Sequence, residues 1–345
     1  MSVNPSPKKI GVWFPAVRAG TGVDVFTVRL KEALKRRGIR SDISWLPLRA
    51  EYLPWSVLVP EPPEWANIVH VNSWIHPRFI PKNLKLVTTI HGCVHDLKIF
   101  PYKSFLQRLY HRFWIKYCES ACIGKSDAVT AVSKYTAEIS GSIFQRSPID
   151  TIYNWIDSDR FTPLRKRDPH EPFRLLFVGK PSKRKGKELL PKIMEKLGPD
   201  FELYFTGEHK DLMGVENDIP DNIFFMGQIQ QENVLIQTYR ESDAFLFPTR
   251  LEGFGLVALE AQACGVPVVS TNCSSLPEVV DHGKSGILCP VDDVDAFVSA
   301  VKTLRNDQEC WRMMCRQARK HAVTKFDMNL CVNQYISIYA KLTGK

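Results

Sequence analysis

Two glutamates eight residues apart, Glu252 and Glu260, enclose the turn Gly253-Phe254-Gly255. The first follows an apolar, strand-like run, and the second lies in a helix predicted to begin at about Gly255. The N-terminus of a helix presents unpaired backbone N–H groups and about half a positive charge, so it is suited to hold an anion such as a diphosphate. A carboxylate on each side accepts hydrogen bonds from hydroxyl groups. This arrangement suits a nucleotide sugar, with one glutamate for the hexose and the other for the ribose.

The sequence after these glutamates continues with a second apolar run and a short motif. Cys264–Ser270 reads Cys-Gly-Val-Pro-Val-Val-Ser, and Leu276–Val280 reads Leu-Pro-Glu-Val-Val. The glutamate spacing alone is common, but the whole string resembles the retaining GT-B glycosyltransferases of family 4. The resemblance runs from Gly20 to about Ala300 and is densest at 245–290. It implies transfer of a hexose from a nucleoside-diphosphate sugar, with retention of configuration and an α-linked product.

The resemblance also implies roles for residues outside this string. The loop Gly179–Gly186 follows a strand and carries cations that correspond to those meeting the donor phosphates, although Lys180 stands where the family usually has arginine. Gly22 corresponds to a glycine that lets the backbone approach the donor, and His91 to a histidine near the anomeric carbon. The implied catalytic residues are His91, Glu252 and Lys185, and the implied donor-binding residues are Gly22, Lys180, Lys185, Phe254, Gly255, Leu256 and Glu260.

No cofactor is implied, and the expected donor is a UDP- or GDP-sugar. Departure of a nucleoside diphosphate builds up negative charge, which the two lysines and the N–H groups at the helix start neutralise by a preorganised positive field. Glycosyltransferases that use Mg2+ for this purpose carry an Asp-x-Asp motif. The letters occur at Asp157-Ser158-Asp159, which falls at the expected domain junction, and Asp292-Asp293 lies in a late loop. We therefore expect no metal ion.

Length and charge indicate two domains of different character. A chain of 345 residues exceeds the size at which one hydrophobic core usually keeps growing. Residues 1–162 hold 22 Lys and Arg against 13 Asp and Glu, whereas residues 163–345 hold 24 of each. The whole net charge of +9 thus lies in the first half, with seven of the eight tryptophans. This favours an anionic acceptor or membrane surface as partner over nucleic acid, for which no binding motif is present.

Other features of the sequence predict a cytoplasmic protein. No run of about 18 uncharged apolar residues is present, so we expect no membrane span. The first nine residues lack the apolar core of a signal peptide. The nine cysteines form no Cys-x-x-Cys pair and are odd in number, which fits reduced thiols better than disulfides or a zinc site.

Strand-like runs alternate with helical stretches from Lys9–Phe14 onward, and the same alternation starts again at Arg174–Gly179. This alternation predicts parallel sheets with helices on both faces. We therefore expect an α/β protein, and the resemblance makes it a GT-B fold with two Rossmann-like domains facing across a cleft. The predicted domains are 1–162 on the acceptor side and 163–345 on the donor side. The last helix, at about 330–342, is expected to cross back to the first domain.

One amphipathic stretch bears on where the protein works. A helical projection places seven aromatic and leucine side chains within about 140°, namely Tyr102, Phe105, Leu106, Leu109, Tyr110, Phe113 and Tyr117. Two interpretations stay open: a helix that faces the core of the first domain, or a surface helix on an anionic leaflet. The charge count favours the second. We therefore predict peripheral attachment to the cytoplasmic face of the inner membrane and transfer to a lipid-linked precursor of a cell-surface polysaccharide or lipopolysaccharide.

Other functions remain open on the sequence alone. GT-B folds also carry sugar-nucleotide epimerases, which act on the donor without an acceptor. A catalytically inactive binding module and a transferase for a soluble small-molecule acceptor are further alternatives. Release of free nucleoside diphosphate, measured with and without an acceptor, distinguishes these possibilities.

Overall fold

The computed structural model describes residues 9–164, 168–213 and 219–344. It divides into two compact units, of which one comprises the chain up to Asn154 and again from Met328, and the other comprises Trp155–Asp327. Each unit is built on a six-stranded sheet in which every neighbouring pair of strands is parallel. The predicted α/β class with two Rossmann-like domains is confirmed.

The first unit begins with β1 (Gly11–Val17), α1 (Gly22–Arg36), β2 (Arg40–Leu46), α2 (Arg49–Tyr52), β3 (Ile68–Asn72), β4 (Lys85–Ile90), α3 (Phe105–Leu109), α4 (Lys116–Lys125), β5 (Ala128–Ala131), α5 (Lys134–Phe144) and β6 (Asp150–Thr151). The strand order is β2-β1-β3-β4-β5-β6, so the order reverses beside β1. Helix α1 starts after Thr21, whose hydroxyl accepts a hydrogen bond from the Val23 N–H. It buries the predicted apolar stripe, including Phe26 and Leu30, against the sheet.

The second unit contains β7 (Phe173–Phe177), α6 (Leu189–Leu197), β8 (Phe201–Phe205), β9 (Ile223–Phe225), α7 (Glu232–Arg240), β10 (Ala244–Phe247), α8 (Leu256–Ala263), β11 (Val268–Thr271), α9 (Leu276–Val279), β12 (Gly286–Cys289), α10 (Val294–Asn306) and α11 (Gln308–Lys325). Its strand order is β12-β11-β10-β7-β8-β9. The order therefore reverses between β7 and β10, both of which are buried strands. In open α/β sheets, ligands bind beyond the carboxyl ends of strands at such a reversal.

The last helix, α12 (Met328–Leu342), packs in the first unit. His70, on β3, contacts the Tyr339 hydroxyl through Nδ1 at 2.6 Å and the Thr89 hydroxyl through Nε2 at 2.7 Å. Tyr335 is fully buried, with its ring 5.5 Å from that of His70. Two tyrosines of α12 thus complete the core of a unit whose other elements end at Asn154.

The division between the units differs from the predicted domain limit at 162/163. Residues 155–162 belong to the second unit. Phe161 is buried there, and its carbonyl accepts a hydrogen bond from Arg319 on α11. The segment after Asn154 is therefore bonded to the last long helix of the second unit.

The amphipathic stretch 102–117 is not one α-helix facing the core. A 3-10 segment, Leu97–Tyr102, precedes α3, and a π-helical segment, Tyr110–Ile115, joins α3 to α4. Phe105, Leu106 and Phe113 are 71%, 75% and 66% exposed. The core-facing interpretation is therefore wrong for these side chains, because they lie on the surface of the unit.

The described ranges contain no helix long and apolar enough to cross a bilayer. All nine cysteines lie in those ranges, and none of them is in a disulfide there. Six of the nine are buried, so their thiols mainly fill space in the two cores.

Candidate functional site

The loop between β7 and α6 lies in close contact with the residue that follows β10, Pro248. Ser182 caps a short 3-10 turn by accepting a hydrogen bond from the Lys185 N–H at 3.3 Å. Gly186 follows with a φ of +69°, and a Cβ at this position would lie 2.0 Å from the carbonyl oxygen of Pro248. Only glycine fits there without a backbone shift. The basic loop and the segment after β10 are therefore held in direct contact.

Glu252 receives three side-chain contacts at one of its two carboxylate oxygens. Its Oε1 lies 3.0 Å from Nη1 of Arg184, 3.1 Å from Nζ of Lys185 and 3.1 Å from the hydroxyl of Thr249. The side chain is 11% exposed. Within the ranges that the structure describes, no group is bonded to Oε2. This second oxygen is therefore left to accept hydrogen bonds from a ligand hydroxyl.

The backbone of Glu252 is fixed by two serines from the segment between β11 and α9. The Glu252 N–H donates to the Ser274 hydroxyl at 2.9 Å, and the Ser275 hydroxyl donates to the Glu252 carbonyl at 3.0 Å. Ser275 is fully buried. The carboxylate is thus preorganised by bonds to its main chain as well as to its side chain.

Lys185 and Glu252 each favour the charged form of the other. Burial acts to raise the pKa of Glu252, but the positive charges of Lys185 and Arg184 outweigh it and hold that pKa below its ordinary value. Burial lowers the pKa of Lys185, and the Glu252 charge opposes this effect. The Lys185 ammonium also lies 4.7 Å from the ring centroid of Phe247, a cation–π contact. Lys185 and Arg184 thus place two cationic groups next to one carboxylate, that of Glu252.

Arg250 joins the basic loop to two acidic residues. Its side chain is 8% exposed and contacts Glu188 Oε1 through Nη1 and Asp292 Oδ1 through Nε, both at 2.6 Å. Its backbone N–H donates to the Arg184 carbonyl at 2.8 Å. Arg250 therefore positions the loop that carries Arg184 and Lys185. The sequence analysis did not single it out.

The N-terminus of α8 has no side-chain cap. Gly255 precedes the first helical residue, Leu256, with a φ of +93°, and a Cβ on it would lie 2.9 Å from Cδ2 of Leu276. Phe254 is buried, with its ring 5.6 Å from that of Phe326. Because Gly255 has no side-chain oxygen to accept from the N–H groups of the first helical turn, the positive end of this helix is suited to an anion.

The remaining residues predicted in this unit have different surroundings. Glu260 is 5% exposed on α8, and its Oε2 accepts a hydrogen bond of 3.2 Å from the hydroxyl of Tyr239 on α7. Tyr239 was not predicted, because it lies 21 positions away in an unremarkable helix. Lys180 is exposed and has no bonded partner in the described parts of the chain.

His91 follows β4 in the first unit and is held by Asn72 at the end of β3. Its Nε2 lies 2.7 Å from the Asn72 side-chain oxygen, so that nitrogen donates and carries the proton. The Phe26 ring stands edge-on to it at 4.6 Å. Burial lowers the pKa of His91 to about 3. The imidazole is therefore neutral near pH 7 and offers hydrogen bonds rather than a charge.

Gly22 is the first residue of α1, and a Cβ built on it meets nothing within 4 Å. The turn before it is closed by Asp24, whose Oδ2 accepts hydrogen bonds from the N–H groups of Ala19 and Gly20 at 3.0 and 2.7 Å. The sequence analysis did not identify this carboxylate. It accepts from two backbone donors beside Gly22.

The predicted site residues thus fall into two groups. Lys180, Lys185, Glu252, Phe254, Gly255, Leu256 and Glu260 follow β7 and β10 in the second unit, where the strand order reverses. Gly22 and His91 follow β1 and β4 in the first unit. Over the described ranges, no group of three or more His, Cys, Asp or Glu side chains is arranged to hold a metal ion. The assigned roles stay predictions.

Two family models match consecutive parts of the chain. The model for Glycosyltransferase Family 4 matches residues 18–160, and the model for Glycosyl transferases group 1 matches residues 161–321. A curated relative, N-acetyl-alpha-D-glucosaminyl L-malate synthase of Bacillus anthracis, is 31% identical over 298 residues, which are 79% of this chain and 74% of that protein.

Solved structures share the fold at lower sequence identity. WaaG, described as a glycosyltransferase involved in lipopolysaccharide biosynthesis, superposes with a TM-score of 0.71 at 18% identity, covering 97% of this chain and 100% of that one. Alr3699/HepE of Anabaena, solved in complex with UDP, superposes with a TM-score of 0.70 at 15% identity, covering 96% and 100%. Both carry the two-domain arrangement known as GT-B.

Proposed function

The chain belongs to the group 1 glycosyl transferases of family 4 and is a glycosyltransferase of GT-B fold, and from this premise we propose that it transfers a hexose from a nucleoside-diphosphate sugar to a glycan with retention of configuration. The observation that carries the donor proposal is the environment of Glu252. One oxygen is held by Arg184, Lys185 and Thr249, while the other has no bonded partner in the described ranges. A hexose hydroxyl that donates to Oε2 would be oriented beside two cations.

The cations suit a diphosphate leaving group. Lys185 and Arg184 lie at the carboxyl end of β7, and the uncapped N-terminus of α8 follows β10. Negative charge that develops on a departing diphosphate is stabilised most by donors already in place, and removing one such donor typically lowers turnover by about 10² to 10³. Lys180 is exposed in the same loop, so its side chain is open to a ligand, which supports its proposed role.

In the proposed reaction, the bond between the anomeric carbon and the diphosphate oxygen breaks, and its electron pair leaves with the diphosphate. The acceptor hydroxyl oxygen bonds to the same face of that carbon, and its proton passes to the departing diphosphate oxygen. Glu252 orients the hexose, and Lys185 stabilises the leaving group. His91 is neutral and fixed by Asn72, so its proposed part is a directed hydrogen bond to the sugar or the acceptor.

Glu260 is proposed to bind the ribose of the nucleotide. It lies one turn beyond the start of α8, and Tyr239 donates to its Oε2. A UDP- or GDP-sugar is the proposed donor, and the UDP complex of Alr3699/HepE supports UDP as the first base to test. We propose that no metal ion takes part, because two cations and a helix N-terminus already face the expected diphosphate. Full activity in the presence of a chelator is the expected result, and its loss would contradict this point.

For the acceptor, we propose a lipid-linked precursor of a cell-surface polysaccharide or lipopolysaccharide. The support is the excess of +9 in residues 1–162 and the exposed aromatic side chains of the same region. The described function of WaaG in lipopolysaccharide biosynthesis agrees with this class of acceptor. Such an acceptor would place the enzyme peripherally at the cytoplasmic face of the membrane.

A soluble small-molecule acceptor is the second candidate. It is favoured by the name of the 31% identical relative, which is an L-malate synthase. The two candidates share the donor site and differ only in the acceptor. They are therefore separated by acceptor assays rather than by donor assays.

The test begins with UDP-, GDP- and ADP-sugars in a thermal-shift panel, followed by release of nucleoside diphosphate with and without an acceptor. Glu252→Gln keeps the shape of the side chain and removes the charge that Arg184 and Lys185 surround. We expect this variant to lose nearly all transfer while remaining folded, with a lower free energy of unfolding because Lys185 loses its carboxylate partner. The control is Glu202→Gln, because Glu202 pairs with Arg174 on the sheet surface. Near-wild-type transfer by Glu252→Gln would remove the donor-site assignment.

A further inference from the structure

Exposed apolar side chains are concentrated in two segments of the first unit, 49–59 and 97–117, which we call the basic aromatic surface. Twelve of the 22 large apolar residues that are exposed in the described ranges belong to these two segments. Leu58 is 91% exposed, Leu106 75%, Phe105 71% and Trp55 69%. Scattered apolar side chains are normal on a surface, but such a concentration marks an interaction site.

Ring contacts and hydrogen bonds join the two segments into one surface. The rings of Tyr52 and Tyr110 are 5.7 Å apart, and those of Trp55 and Trp114 are 5.8 Å apart. The indole N–H of Trp114 donates to the carbonyl of Glu51 at 2.8 Å. The surface is therefore built on packed aromatic side chains, and its exposed members are not the tips of an unsupported loop.

The π-helical segment determines which side chains of 97–117 stay outside. Helix α3 begins with a capping box, in which the Ser104 hydroxyl accepts from the Gln107 N–H and the Gln107 side chain accepts from the Ser104 N–H. The wider turns that follow place Tyr110 and Trp114 against segment 49–59, while Phe113 remains 66% exposed. A regular helix over the same residues would present a different set.

Charge decides which partner fits this surface. Segment 97–117 contains five Lys and Arg and no Asp or Glu. Four of these cations are exposed, namely Lys98, Arg108, Arg112 and Lys116. The acid of the other segment, Glu51, accepts a hydrogen bond from the Tyr110 hydroxyl at 3.1 Å and is half-buried. The exposed charge is therefore almost wholly positive.

Within this surface, cationic side chains lie next to aromatic rings. The guanidinium of Arg108 lies 5.7 Å from the ring centroid of Phe100, and that of Arg112 lies 5.8 Å from the ring of Phe113. A side chain with an apolar body beside a fixed cation suits the boundary between lipid headgroups and acyl chains. A protein partner would require apolar pockets and acidic groups matched one by one to these residues.

We propose that the basic aromatic surface docks the enzyme on an anionic lipid bilayer, with Trp55, Leu58, Phe105, Leu106 and Phe113 inserted at the headgroup level. This deepens the proposed function by naming the surface through which a lipid-linked acceptor is approached. The docking itself depends on side chains of the first unit alone. It is therefore measured without donor or acceptor, so failure of the donor assignment and failure of docking are distinguishable.

The test is flotation of the full chain with vesicles of phosphatidylcholine alone, or with one third phosphatidylglycerol, at low and high salt. We expect binding to the anionic vesicles only, and weaker binding at high salt. Arg108→Gln/Arg112→Gln should reduce binding roughly 25-fold, since each cation near such a surface strengthens binding by a factor of about five. Phe105→Ser/Phe113→Ser should reduce it at least tenfold.

Matched controls lie on other surfaces of the chain. Lys302→Gln/Lys320→Gln removes two exposed cations from α10 and α11. Val234→Ser/Leu330→Ser removes two exposed apolar side chains. Both controls should bind vesicles like the wild type. Equal binding to neutral vesicles, equal loss in the controls, or no binding at all would overturn the proposal. Self-association that Phe105→Ser/Phe113→Ser abolishes, measured by light scattering, would assign the surface to a second copy instead.

Discussion

Replacing Lys185 with methionine removes one charge from the donor site and keeps the apolar stem of the side chain over the Phe247 ring. The ammonium now lies 3.1 Å from Glu252 Oε1 and is 14% exposed, so solvent compensates little for its loss. Arg184 and Thr249 remain bonded to the same oxygen. In Lys185→Met, the negative charge of Glu252 therefore loses one of its two cationic partners and keeps the other, Arg184.

The expected effects on stability and on catalysis differ in size. Leaving a buried charge without any partner costs about 3–5 kcal/mol. Because Arg184 and Thr249 remain, we expect a decrease in the free energy of unfolding of roughly 1–3 kcal/mol. Turnover should fall by about 10² to 10³, since Lys185 would stabilise the departing diphosphate. The acceptor KM should change little, because the lost interaction strengthens only as the diphosphate leaves.

A second variant separates these two effects. In Lys185→Met/Glu252→Gln the carboxylate is gone, while Arg184 still donates to the Leu251 carbonyl and is 31% exposed to solvent, so the stability should return to within about 1 kcal/mol of the wild type. Transfer should remain lost, because neither the cation nor the carboxylate is present. Urea unfolding and release of nucleoside diphosphate provide the two measurements. If Lys185→Met turns over normally once it is corrected for its folded fraction, Lys185 has only a structural part, and the donor-phosphate role is refuted.

Three further changes probe other parts of the molecule. Arg250→Leu removes the ion pairs that hold the basic loop, and it should raise the donor KM about tenfold with a smaller effect on kcat. The control, Arg312→Leu, loses only an exposed ion pair and should match the wild type in steady-state kinetics. Glu260→Gln should weaken nucleotide binding in calorimetry about tenfold while retaining the Tyr239 hydrogen bond; unchanged affinity would contradict the ribose role. His70 is buried with its pKa lowered to about 3 from 6.5, so its contribution to stability is present above pH 6.5 and is lost as the pH falls toward 3. His70→Gln should therefore flatten the loss of unfolding free energy on acidification by about 1.4 kcal/mol per pH unit, and an unchanged slope in urea titrations would show that His70 is not the group responsible.

Local patterns in the sequence predicted the elements that carry the donor site. The apolar run Ala244–Phe247 is strand β10 without any shift, and α8 begins one residue after the predicted Gly255. These predictions succeeded because a short, fully buried parallel strand is a continuous apolar run. Glycine before a helix also marks a required positive φ, which is +93° at Gly255.

Features that depend on distant parts of the chain were not predictable in the same way. Strand β2 was missed because Arg40–Leu46 begins with three polar residues and contains no continuous apolar run, as is acceptable at the edge of a sheet. The contact between Arg184 and Glu252 joins residues 68 positions apart, and no local pattern indicates it. Likewise, the π-helical segment follows from packing of Tyr110 and Trp114 on another segment, so a regular projection could not place the exposed face.

The position of α12 has a consequence for the order in which the protein acquires its structure during synthesis. The first unit lacks Tyr335 and Tyr339 until α12 has emerged from the ribosome, whereas Trp155–Asp327 is complete earlier. The second unit therefore has all of its strands before the Tyr339 hydroxyl, which contacts His70, has been synthesised. The part of the chain made first is the last to be finished, the reverse of the usual N-terminal-first order. A stalled or nicked chain that ends before Met328 would expose the core around His70, because Tyr335 and Tyr339 would no longer cover it.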